Sequence, residues 1–312
     1  MAYISFPRPD YNDGWVSEYE HELLAARSTP DGVHGVPTDP APVIADAGVR
    51  TLRMRAGINA NLRGSVFRSG STDLVLEQLA ANTSGNPRID LVVLRLDRSD
   101  YTIAPAVITG TPAANPVAPL PVRGQGPSGF FDMPMAAVRV AHNASTIAAG
   151  DVTTRCWYLG SDGQIRCTPE SRPPVESGRL IWEYPTGKYL VGTGNSWVTV
   201  WDDSGISKIN LDTGFSATEN SLQRRGGVCV LNLKVKRPRA IFPAGTQTKV
   251  GSLPAGFAPT FPVQSAAAWW SGGELASLRV EPNGGVYVAT VAGIAVSADR
   301  TIDGSLVWFT AA

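Results

Sequence analysis

The chain has 312 residues with 27 basic and 27 acidic side chains, so no net charge draws it to nucleic acid or to an anionic membrane surface. No run approaches about 18 consecutive apolar residues, and the N-terminus lacks a basic segment followed by an apolar one. Neither a membrane span nor a signal peptide is therefore expected, and the protein is expected to stay in the cytoplasm in which it is made. Cys156, Cys167 and Cys229, like His21, His34 and His142, are too scattered to hold zinc, and no cofactor is expected.

Gly (32 residues) and Pro (24 residues) are spread along the whole chain, the pattern of short strands joined by many turns, and the length allows two or three domains. One helix is expected after Asn12-Asp13-Gly14: Val16, Tyr19, Leu23 and Ala26 fall at helical spacing between Trp15 and Arg27, forming an apolar stripe. Strands follow over Thr51 to Arg55, Asp73 to Ala81, Arg88 to Leu96, Thr102 to Thr109 and Ala137 to Ala141. The stretch from Arg88 to Arg98 is apolar on both faces yet contains Asp90, whose nearest same-face partner is Arg88, so a structural ion pair is expected there. Gly110 to Gly129, dense in Pro and Gly, reads as a long loop. Its Gly124-Gln125-Gly126-Pro127-Ser128-Gly129 matches a dinucleotide fingerprint in spacing only, because no strand leads into it and no helix follows.

Residues 1 to 155 thus read as a β-sandwich or jelly-roll-like domain with one short helix. Residues 156 to 223 read as a hairpin connector, with a meander turning at Pro185-Thr186-Gly187 and a turn-rich stretch from Gly205 to Arg225. Cys156 and Cys167 oppose each other if Ser161-Asp162 forms the turn between them, and separate if Asp162-Gly163 does; reduced thiols fit the compartment. Residues 224 to 312 recover period-two alternation in Gly227 to Arg237, Leu278 to Val280, Val286 to Val291 and Leu306 to Thr310, with a hairpin turn at Pro282-Asn283-Gly284-Gly285. This is an antiparallel β-sandwich or barrel.

No Walker lysine motif and no nucleophile elbow occurs. Asp202-Asp203, in a turn context, and the loop acids Glu274, Asp299 and Asp303 read as solvated or turn-forming rather than as a glycosidase pair, so no enzyme is expected and there are no catalytic candidates. The adjacent Trp269 and Trp270 point in opposite directions if extended, leaving one free for stacking on a sugar or for protein contact, or both for cores and subunit interfaces.

The blocks Gly48 to Gly57, Leu62-Arg63-Gly64-Ser65, Arg88 to Arg98, Gly110 to Pro116, Met133 to Val140 and Thr146 to Val152 together resemble the N-terminal region of bacteriophage minor tail, baseplate or tail-fibre proteins. Gly178 to Trp197 is similar to tail-fibre hairpin modules. Leu253 to Pro259 with Leu278 to Val286 and Trp308 resembles the β-barrel head of phage receptor-binding proteins, although Ala258 stands where a basic residue is common. The resemblance implies a homotrimer in the virion tail: residues 1 to 155 attach to other tail or baseplate proteins, 156 to 223 form a stalk, and 224 to 312 bind host-surface saccharide or protein. Trp269, Trp270, Glu274 and Tyr287 are the receptor-binding candidates. A baseplate adaptor that touches only virion proteins and a polysaccharide depolymerase are the competing readings; nucleic acid and membrane insertion are not implied.

Overall fold

The computed structural model describes residues 17–46, 48–238, 242–269, 275–290 and 300–310. The chain divides into two compact units, the first comprising Met1–Val175 with Leu180–Pro185, the second Glu176–Arg179 with Thr186–Ala312. The segment expected as a connector therefore contributes strands to both units. The fold is mainly β, with one α-helix among the described residues, and no helix there is long and apolar enough to cross a membrane.

The first unit begins with the helix Glu18–Ser28, started by a capping box in which Ser17 and Glu20 satisfy each other's backbone N–H groups. Its buried residue is Glu22 rather than an apolar stripe; Leu24 faces solvent and Tyr19, Leu23 and Ala26 are half-buried. The reason is electrostatic. Glu22 accepts from Arg98 Nε and Nη2, each at 2.7 Å, and from Arg63 Nε at 2.8 Å, so a charge cluster docks the helix where apolar contact was expected.

A four-stranded sheet forms the centre of this unit, in the order Val152–Thr154, Phe130–Val140, Arg88–Asp97, Thr102–Ile108. Leu91 to Leu94 and Leu96 are buried, as are Met133, Met135 and Val138 opposite them. Arg88 forks onto Asp90 through Nε at 2.8 Å and Nη2 at 3.0 Å, and its other donors reach the carbonyls of Ala80 and Ala81. The buried charge is thus paired and hydrogen-bonded, the condition under which such a pair is tolerated. The strand Phe130–Val140 tolerates Pro134, which stands opposite Val93 and cannot donate to the ladder, beside a bulge in which Met135 is the extra residue between the partners of Val92 and Val93. The region expected as a strand from Asp73 to Ala81 keeps ladder pairing only at Leu74–Val75, against Leu52–Met54.

A second sheet of this unit runs Leu180–Glu183, Ile165–Cys167, Tyr158–Leu159, Gly32–His34, Asn59–Leu62, Ser65–Arg68, with two parallel pairings. In its hairpin Leu159 pairs with Ile165 and Tyr158 with Arg166, which centres the turn on Asp162 and takes Cys156 and Cys167 out of register. Both are free and buried, as is Cys229.

In the second unit an antiparallel sheet runs Lys188–Gly192, Trp197–Ser207, Ser216–Arg225, Val228–Lys236, Thr301–Phe309, Val263–Trp269, Leu275–Val280, Gly285–Thr290, Gln247–Ser252, Asn210–Leu211. Leu222, Cys229, Leu231, Leu233, Ile302, Leu306 and Trp308 from one end share a single core with Val250, Leu278, Val280, Val286 and Val288 from the other. That sharing requires the sheet to curl over on itself, as in a sandwich. Ser216–Arg225 corrects the expectation of a turn-rich connector: it is a strand, although Leu222 is its only buried residue, and nine backbone pairings to Val228–Lys236 hold it.

Two outcomes test this description. Burial works against the Glu22 charge, but hydrogen bonds from Arg98 and then Arg63 outweigh it and hold the carboxyl below its ordinary range. The stability so gained is complete above the unfolded carboxyl range and is lost as pH falls through the lowered folded value. The thermal midpoint of the wild type should therefore fall steeply between about pH 5 and about pH 3, with Glu22→Gln less stable at pH 7 by about 3 kcal/mol and flatter across that window. Separately, burial pushes the Cys156 and Cys167 thiols up to about 12 and that of Cys229 up to about 11, so alkylation at pH 8 should need denaturant for all three.

Candidate functional site

At one end of the second unit an open cleft of about 340 Å³ lies between Trp197–Ser207 and Thr301–Phe309. Its floor is the two-residue turn Gly226-Gly227, across which Arg225 pairs with Val228. Both glycines have positive φ, 55° and 78°, the requirement of a type I′ hairpin. A Cβ on Gly226 would already stand in contact with the Trp201 ring, at 3.5 Å, so glycine also keeps the cleft open.

Two aromatic side chains flank that floor. Trp201 pairs with Tyr189 across the strands and meets its ring edge-on, with centroids 6.5 Å apart, while remaining 41 % exposed. Phe309, opposite Val228, is 69 % exposed. Next to them Trp308 turns inward and donates to the Phe257 carbonyl at 2.8 Å, so the alternation that buries one aromatic presents the other.

The polar lining has two parts. Asp202 is buried and accepts from Arg224 Nε at 2.6 Å and from the Gly227 N–H at 3.3 Å, while its own carbonyl accepts from Gly226 N–H. Arg224 also donates to the Gly256 carbonyl and lies over the Phe257 ring at 5.3 Å. This pair braces the turn and is committed within the protein. Lys188, Thr199 and Thr310 face the same space, and among the described residues Lys188 makes no ion pair. Two apolar faces edged by an ammonium and hydroxyls can stack a pyranose ring and hydrogen-bond its hydroxyls. No group of His, Cys, Asp and Glu that could hold a metal ion occurs among the described residues.

Of the sequence candidates, Trp269 and Tyr287 do not line this cleft. Trp269 ends the strand Val263–Trp269, its backbone opposite Ile302. Tyr287 is half-buried, opposite Arg279 and Lys249, and two strands separate its own strand from that of Phe309. Trp270 and Glu274 lie outside the described residues. Asp202-Asp203 is not a turn: it sits within Trp197–Ser207 beside a bulge, where Asp203 accepts from Gly205 N–H and Asp202 closes onto Arg224. The missed signal was Gly226-Gly227, a hairpin dipeptide whose flanking strand is too polar to announce itself.

No protein-family model matches the chain, and no curated protein matches it. Among solved structures, the chain is similar to the head domain of lactococcal phage bIL170, described as a receptor binding domain, at 20 % identity and a TM-score of 0.29 over 34 % of this chain and 98 % of that one. It is also similar to the receptor binding protein gp15 of Listeria phage PSA, at 14 % identity and a TM-score of 0.28 over 36 % of this chain and 68 % of that one.

Burial separates the roles of the two neighbouring cleft-region tryptophans. Trp201→Ala should change the thermal midpoint little, whereas Trp308→Ala should destabilise the second unit by about 3 to 5 kcal/mol, read by denaturant unfolding.

Proposed function

We propose that the chain is a tail component of a bacteriophage that adsorbs to the host cell surface by binding saccharide, without cleaving it. The observation that carries this reading is the open cleft in which Trp201 and Phe309 are exposed around a Gly226-Gly227 floor braced by Asp202. Exposed aromatic side chains on a β scaffold, fixed before the ligand arrives, lose little entropy on binding. The ordered sequence blocks from Gly48 to Val152 support attachment to the virion through the first unit.

Binding rather than hydrolysis is supported by the carboxylate count of the cleft. Asp202 is the one acid among its described lining residues and is committed to Arg224, whereas glycoside hydrolysis normally takes two carboxyl groups across the bond. A homotrimer suits such a site, because three weak contacts on one particle hold a cell far longer than one.

The test uses the full chain and intact host cells. Trp201→Ala and Phe309→Ala should each lower cell binding at least tenfold with folding unchanged, purified wall polysaccharide should compete with the wild type, and no reducing ends should appear on long incubation. Unaltered binding by both variants would reject the cleft. Co-purification with other tail proteins without any cell binding would favour an adaptor, and release of reducing ends a depolymerase.

A further inference from the structure

The loop from Gly110 to Gly129 is fastened at both ends by buried acids. At its start Gly110 N–H donates to Asp90 Oδ1 at 2.9 Å and Ala113 N–H to the Pro87 carbonyl at 3.0 Å. At its far end Val122 N–H donates to Asp132 Oδ2 at 3.0 Å, and Asp132 is itself forked by Arg95 at 2.7 and 2.9 Å. Between these fastenings, residues 114–121 make no hydrogen bond to the rest of the described chain.

The conformation of that span is set by its prolines. Pro116, Pro119 and Pro121 fix their own φ and confine Asn115, Ala118 and Leu120 to extended geometry, so only Val117 is locally unconstrained from Asn115 onward. Such a run approaches polyproline II, with three residues per turn. Exposure follows that period from Pro116 onward, after a bend at 114–115: Val117 and Leu120 face solvent, as do Thr111, Ala114 and Asn115 before them, while Pro112, Ala113, Pro116, Ala118, Pro119 and Pro121 are half-buried. Val117 is 79 % exposed and Leu120 88 %, values unusual for apolar side chains held at both ends of a fastened segment.

From this ridge we infer that residues 111–120 are a docking arm for a groove with apolar, aromatic walls on a different protein. The prolines lack N–H groups, so strand addition to a sheet edge is a poor mode, whereas side-chain insertion of Val117 and Leu120 is a good one. Gly110 to Val122 contains no charged residue, so a neutral groove matches it. The aromatic cleft of a second copy fits badly, because the ammonium of Lys188 on its lining would lose water to an arm that offers it nothing in return. The fastening at Asp90 and Asp132 means that little order has to be gained on docking.

The test places a benzophenone photo-crosslinking side chain at Leu120 of the full chain, in cells producing it from its native genetic context, with the same group at the exposed Val66 as control. The expected result is one discrete adduct at Leu120 and none at Val66, joined to a different polypeptide at a segment between aromatic residues and formed equally in 1 M NaCl. Val117→Asp should reduce it at least tenfold without shifting the thermal midpoint, and Pro116→Gly with Pro119→Gly should reduce it severalfold with both apolar side chains intact. No adduct, an adduct between two copies of this chain, equal yield at Val66 or indifference to Val117→Asp would each overturn the inference.

Discussion

The architecture depends on one repeated interaction, a buried carboxylate forked by an arginine. Asp90 with Arg88, Asp132 with Arg95, Glu22 with Arg98 and Arg63, and Glu183 with Arg172 follow it, and Asp202 pairs with Arg224 through Nε. In three of these pairs the carboxylate also receives a backbone N–H from an adjoining loop or turn, at Gly110, Val122 and Gly227. A chain this rich in glycine and proline has many loops whose backbone groups need partners, and each of these three clamps supplies one while closing its own charge balance. The guanidinium fork suits that task where an ammonium would not.

This gives the basic composition a structural meaning. Lys188, Lys208, Lys234, Lys236 and Lys249 are the only lysines, so the remaining basic residues are arginines. Genome composition alone explains such a bias equally well when only the sequence is known. In the folded chain several of those arginines are at work inside, and the free Lys188 stands out in the cleft because it is not.

Legibility in the sequence tracked apolar content. Arg88–Asp97 and Val228–Lys236 were evident because burial on one or both faces leaves a pattern in the residues themselves. Ser216–Arg225 was not, since a polar strand held by its neighbours' backbones carries no such pattern, and the helix was read correctly in kind but with the wrong docking face. The candidate site suffered most: its walls come from residues more than a hundred positions apart, and only the sheet order brings Trp201 and Phe309 to one end. The tryptophan pair at Trp269 drew attention as an isolated local feature, whereas exposure is decided by strands far away in sequence.

The way the chain crosses between its two units bears on how the molecule can be taken apart. Glu176–Arg179 belongs to the second unit, where Gly178 and Arg179 exchange backbone hydrogen bonds with Gly192, yet Leu180–Pro185 returns to the first before the chain departs for good. No single cut therefore yields two intact pieces. A cut ahead of Glu176 strips a strand from the first sheet system, one after Pro185 leaves Gly192 without its partners, and one at Gly226 divides the cleft between fragments. A swap of one half for another anywhere between Glu176 and Pro185 would accordingly have to rebuild backbone pairings that the other half supplies.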